Sequence, residues 1–215
     1  MNARRRTWVT GAAVVVLACG AVWGCGSSTA PTRVDVLYIV GPDGNFRSIS
    51  AALQAVPAGE VVEVRGGPYA ERVVISKPGI KLRGVSAILD GSGVDGGRGI
   101  GIHVNGVPDV EISGFTVRNF ERGIVVQNAT NAVIRRNEVH SNNSKAADTA
   151  PPLAAGVDLF EGVVLLGSSG AQVTDNLLRN NGHDGLQIAG GSRNNIIRNN
   201  RMINNGAQTA PTRFG

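Results

Sequence analysis

Hydrophobic residues along this chain come in short runs, and the spacing within the runs changes once. Ile49, Ala52, Leu53 and Val56 fall at i, i+3, i+4 and i+7. That spacing puts them on one apolar face of a short helix. Ser48 or Ser50 could cap its start, and Pro57 stops it. The runs that follow are β-type: Val61–Val64, Val73–Ile75 and Ile80–Leu82, each bounded by Gly or Pro.

Further on the pattern repeats. Gly123-Ile124-Val125-Val126 returns as Gly162-Val163-Val164-Leu165 and again as Gly185-Leu186-Gln187-Ile188. Ile100-Gly101-Ile102-His103-Val104 is a weaker, earlier copy. Eleven or twelve residues after the three glycines stand Ile134, Val173 and Ile197, and three further on stand Asn137, Asn176 and Asn200. Another five residues lead to Asn142, Asn181 and Asn205. In the earlier copy Phe115 and Phe120 hold those two slots. Coils measure 22 residues (Ile102 to Ile124), 39 (Gly123 to Gly162) and 23 (Gly162 to Gly185). The long one reads as a normal coil plus roughly 16 inserted residues, treating the repeat as a stacking unit of fixed size.

Three short β runs per coil cannot each find a hairpin partner. Stacking coil on coil gives every run a parallel neighbour above and below, with alternate residues such as Val110, Ile112 and Val117 filling a narrow core. Asparagines at the bends tolerate left-handed geometry, and their amides can bond the next coil's Asn as a ladder. Asparagines locked to the coil period are structural, so the stretch NNIIRNNRMINNG (194–206) is read as architecture rather than a ligand site. Few aromatics (4%) and 30 glycines fit the same picture of small side chains and many tight turns.

From about residue 38 to 206 the chain resembles right-handed parallel β-helix proteins. These are the pectate lyase, polygalacturonase and mannuronan epimerase superfamily and the Asn-rich parallel β-helix repeat proteins. The segment DGNFRSISAALQAVPAGEVVEVRGGPYAERVVISKPGIKLRG is similar to the opening of pectin methylesterases, where a short helix covers the first coil. The resemblance implies an all-β protein: a right-handed parallel β-helix solenoid of about six coils with a short N-terminal capping helix. It implies no single activity, because such coils carry lyases, hydrolases, esterases, epimerases and plain binding proteins.

The start of the chain has its own character. Residues 1–25 pair a basic opening with an apolar stretch, the layout of a secretory signal. Val22-Trp23-Gly24-Cys25 resembles the lipobox of bacterial lipoproteins, which predicts lipidation at Cys25; Val16-Leu17-Ala18-Cys19 is a second candidate. Residues 26–37 read as a flexible tether, 38–206 as the β-helix with its insertion at about 143–161, and 207–215 as a tail that leaves the last coil uncapped. An uncapped solenoid exposes strand edges, so the expectation is either a chain truncated relative to its relatives or self-association that covers that end. Localisation is expected to be exported: lipid-anchored in a bacterial cell envelope, or secreted. The formal charge of +5 includes Arg4, Arg5 and Arg6 of the leader, leaving +2 elsewhere. That is too little for a basic stripe, and nucleic acid is not an expected partner.

Aligning the coils places side chains in columns. One outward column reads Arg118, His140, Arg179, then Ile203. Three basic groups on strands about 4.8 Å apart suit a polymer with a carboxylate on every sugar, which Arg grips bidentately. Glu111, Glu121 and Glu138 stand near enough to neutralise them instead. A second column, just before the recurring glycine, reads Arg122, Glu161, Asp184. Paired carboxylates serve acid–base hydrolysis or hold Ca²⁺, with Asp158, Glu161 and Asp184 as candidate Ca²⁺ ligands and His183 beside them. Asn181-Gly182-His183-Asp184-Gly185 loosely resembles the Asp-Gly turns of polygalacturonases and some pectate lyases, without their tandem Asp pair. His103 heads a mostly apolar outward column, Val125, Val164 and Gln187, expected to lie under a loop or partner. The leading expectation is an acidic-polysaccharide protein. If it is an enzyme it is lyase-like, with His140 or Arg179 abstracting the C5 proton and Arg118 neutralising the uronate. A non-catalytic glycan- or protein-binding module and a hydrolase using Glu161 and Asp184 are the alternatives. No cofactor is required beyond the candidate Ca²⁺.

Overall fold

The computed structural model describes residues 38–143 and 159–206. The chain begins with β1 (Tyr38–Val40) and α1 (Ile49–Ala55). Ser48 caps α1, its Oγ accepting from the Ala51 N–H at 3.2 Å. Glu71, which the local pattern does not single out, completes the cap. Its carboxylate accepts from the Ile49 and Ser50 N–H groups at 2.7 and 2.9 Å, so orphan donors of the first turn are satisfied from another coil. Ile49, Ala52 and Leu53 turn inward and cover the first coil.

Beyond α1 the chain winds as strands: β2 (Val61–Arg65), β3 (Val73–Ile75), β4 (Lys81–Asp90), β5 (Ile100–Asn105), β6 (Glu111–Arg118) and β7 (Arg122–Gln127). It continues with β8 (Val133–Arg135), β9 (Glu138–His140), β10 (Val163–Leu166), β11 (Gln172–Thr174), β12 (Leu177–Arg179), β13 (Leu186–Ala189), β14 (Ile196–Arg198) and β15 (Arg201–Ile203). One sheet runs β1-β2-β4-β6-β8-β11-β14, with β9, β12 and β15 continuing it past a bend; the other runs β3-β5-β7-β10-β13. Pairing is parallel, each strand beside its counterpart one coil away. This is a parallel β-helix, as the repeat predicts. The core is the stack of inward residues, for example Leu82, Ile112, Ile134 and Val173, all fully buried.

Two asparagine ladders run along the bends. Asn176 Oδ1 accepts from the Asn137 N–H at 2.9 Å and from Asn137 Nδ2 at 3.1 Å, and Asn176 hands the same pair of bonds on to Asn200. Asn142, Asn181 and Asn205 do likewise. Each ladder starts on a phenylalanine: the Phe115 and Phe120 N–H groups donate to Asn137 and Asn142. One expectation needs correcting. The ladder asparagines do not take the left-handed conformation themselves; the residue before each does. Arg136, Asp175 and Asn199 (φ 55°, 59°, 56°) serve one bend, and Ser141, Asn180 and Asn204 (φ 55°, 54°, 51°) the other. The left-handed residue turns the chain, and the next side chain then points inward, where it can reach across coils. Two adjacent positions divide the work assigned to one.

The recurring glycine follows from the same ladder. A Cβ on Gly162 would lie 2.5 Å from the Gly185 carbonyl oxygen and 2.7 Å from Asn181 Nδ2. At the far end, the inward positions Ile197 and Met202 are 36% and 48% exposed.

Candidate functional site

The first predicted column exists in register. Arg118 pairs with His140, His140 with Arg179, and Arg179 with Ile203, each at the C-terminal end of its strand. Inward neighbours Val117, Val139 and Leu178 are buried, which fixes the three basic side chains on the outer face.

Carboxylates compensate the column. Arg118 Nε donates to Asp90 Oδ2 at 2.8 Å. Arg179 bonds Glu138 Oε1 through Nε at 2.7 Å and Nη2 at 2.6 Å. Asp90, 8% exposed, also accepts from Asn119 Nδ2 and the Ser92 N–H, each at 2.9 Å. Burial pushes this carboxyl up, but the hydrogen bonds from Asn119, Ser92 and Arg118 outweigh it and hold it at about 2. His140 Nδ1 lies 2.9 Å from Ser141 Oγ. Its pKa is lowered, first by burial and then by the Arg179 charge, with Glu138 opposing and Arg118 adding to the fall. Near neutral pH the imidazole is therefore a neutral base held between two guanidinium groups.

The second column also assembles. The Gly123 N–H donates to the Glu161 carbonyl and the Gly162 N–H to the Asp184 carbonyl, so the two acids occupy equivalent places on successive coils. Glu161 is fully buried, and its Oε2 accepts from the Asp184 N–H at 2.9 Å. Its Oε1 lies 3.2 Å from His183 Nδ1, and that nitrogen lies 3.4 Å from Asp184 Oδ2. Arg122, buried on the preceding coil, pairs with buried Glu121 at 3.4 Å. Asp158 and Cys25 lie outside the described residues.

In the third column His103 faces Val125, which faces Val164 and then Gln187. Val125 and Val164 are fully buried although they point away from the main core, and they form a small apolar cluster with Leu166. His103 Nε2 lies 3.0 Å from Gln127 Oε1, and burial lowers its pKa. Nothing there converges on a substrate-sized opening.

Sequence reasoning missed Asp90. It pairs with Arg118 across a separation of 28 residues, whereas the coil period is near 22, because two short helical turns, Gly91–Gly93 and Asp95–Gly97, lengthen this coil between β4 and β5. A spacing argument pointed to the glutamates instead. Of these, Glu138 does pair with Arg179, while Glu111 serves Arg135 and Glu121 serves Arg122.

The family model of the right handed beta helix region matches residues 67–210. The chain belongs to this family. Its match includes the ladders, both polar columns and the insertion between them. No curated protein matches the sequence. Among solved structures, the alginate lyase from Paenibacillus sp. str. FPU-7 is similar at 15% identity over 74% of each chain, with a TM-score of 0.36. Membership of the right-handed β-helix family settles the architecture; the chemistry has to be argued from the columns.

Proposed function

We propose that this β-helix protein works on an acidic polysaccharide bound along the Arg118–His140–Arg179 face, and that it cleaves the polymer by β-elimination. The observation that carries the reading is the register of the three side chains, with an imidazole of lowered pKa between two guanidinium groups. Elimination in a polyuronate needs a base for the C5 proton and cations for the carboxylate that makes this proton acidic. His140 is the better base. Arg179 is committed to Glu138 through two nitrogens, whereas His140 enters the reaction already neutral. Arg118 is tied to Asp90 through Nε, which aims its terminal amino groups and leaves them for a carboxylate. The basic-then-apolar pattern of residues 1–25, which reads as a secretory signal, supports export to where such polymers are found.

Product mass tests the reading on pectate, alginate and glycosaminoglycans. Elimination adds no water and leaves an unsaturated uronate at the new end. Hydrolysis, the reading built on Glu161 and Asp184, adds one water per cut. A binding module leaves the polymer intact and still retains it. Unsaturated ends that vanish in His140→Ala are expected; saturated products or an intact polymer would overturn the proposal.

A further inference from the structure

We propose that Glu161, His183 and Asp184 form a binding site for a late first-row divalent metal ion of the Zn²⁺ type. The site shares no residue with the Arg118–His140–Arg179 face and does not depend on that reading. One nitrogen and two carboxylate oxygens converge within 4.8 Å of one another. The two separations measured from His183 Nδ1, 3.2 Å to Glu161 Oε1 and 3.4 Å to Asp184 Oδ2, lie within about 0.1 Å of the spacing of ligands sharing one ion. Metal–ligand bonds of about 2.0–2.2 Å at tetrahedral angles put neighbouring donors about 3.3–3.6 Å apart.

The fold holds the donors in place without an ion. Glu161 is enclosed, and its Oε2 is fixed by the Asp184 N–H, which orients Oε1 toward the imidazole. The His183 N–H donates to the Phe160 carbonyl at 3.0 Å, and the Asp184 carbonyl is bonded by the Gly162 N–H at 2.9 Å. These main-chain bonds hold the turn that carries both side chains. His183 and Asp184 have side chains 40% and 52% exposed, which gives the ion a way in and leaves coordination positions for water or a ligand. The donor set also decides the class of ion. Ca²⁺ takes six to eight oxygens, whereas imidazole with carboxylates suits zinc and its neighbours.

The test is titration of Co²⁺ into the 215-residue chain, treated with chelator and carrying no polyhistidine tag. The readout is the visible absorption of the bound ion. The expected result is a saturable signal that Zn²⁺ displaces and excess Ca²⁺ does not. His183→Ala and Asp184→Asn should each weaken Co²⁺ binding at least about tenfold. Both side chains are partly exposed, and circular dichroism checks the fold; if His183→Ala fails to fold, Asp184→Asn decides alone. No signal, displacement by Ca²⁺ as readily as by Zn²⁺, or unchanged binding in either folded variant would overturn the proposal.

Discussion

Asn176→Ala isolates the ladder from everything else in the solenoid. Asn176 is 2% exposed and takes part in four side-chain hydrogen bonds. It accepts from the Asn137 N–H and Nδ2, and it donates to the Ile134 carbonyl at 2.9 Å and to Asn200 Oδ1 at 2.9 Å. Truncation removes all four. The Asn137 N–H is then buried without its acceptor, which alone costs about 1–3 kcal/mol. With the three remaining bonds, each worth about 0.5–1.5 kcal/mol, the loss comes to about 3–7 kcal/mol. That is a large part of the stability of an ordinary domain, about 5–15 kcal/mol. Urea unfolding should show a much lower midpoint with an unchanged slope. The comparison variant is Asn199→Ala, at the left-handed position just before Asn200 on the next coil, whose exposed side chain bonds Asp175 at 3.2 Å and takes no part in the ladder. Equal losses of stability in Asn176→Ala and Asn199→Ala would refute the division of labour between the ladder position and the turn position.

Four further outcomes follow from other contacts. Gly162→Ala should destabilise by about 2–3 kcal/mol in the same assay, because its new methyl meets a backbone oxygen and a ladder amide with no room to yield. Asp90, lowered from 3.8 to about 2, stabilises the fold above its unfolded pKa and loses that contribution as pH falls from 3.8 through about 2. The amount is about 2 kcal/mol, and acid titrations of stability for wild type and Asp90→Asn should diverge over that window. His140 resists protonation in the folded state, so its share of stability is present above its ordinary 6.5 and is lost as pH falls below it. For the same reason the acid limb of kcat/KM on a polyuronate should lie below pH 6.5, and a limb at or above that value would remove His140 as the base.

A solenoid makes sequence period and spatial contact the same thing, which is why so much of this protein could be read directly. Arg118, His140 and Arg179 were aligned by counting, and strand register reproduces that alignment residue for residue. The ladder positions, the Phe starts and the recurring glycine followed from the same count. Counting fails where a coil changes length or where a contact leaves the column. Asp90 opens a coil lengthened by the turns over residues 91–97, and Glu71 reaches α1 from a different coil. The left-handed residue lies one place before the ladder asparagine, and sequence cannot tell the two slots apart because both carry Asn or Asp on the later coils, as at Asn180-Asn181 and Asn199-Asn200; backbone geometry shows which one turns. His183 was named for its place beside Asp184, but its approach to Glu161 depends on side-chain direction, which a period does not contain.

The account's central claim is elimination chemistry on the Arg118–His140–Arg179 face. The most direct measurement is the ultraviolet absorbance of unsaturated uronate ends, followed continuously with purified protein on pectate, alginate and glycosaminoglycans. The account predicts a steady rise with at least one polyuronate, abolished in His140→Ala while that variant still binds the polymer. No rise on any polyuronate, or a rise that His140→Ala leaves untouched, would contradict it.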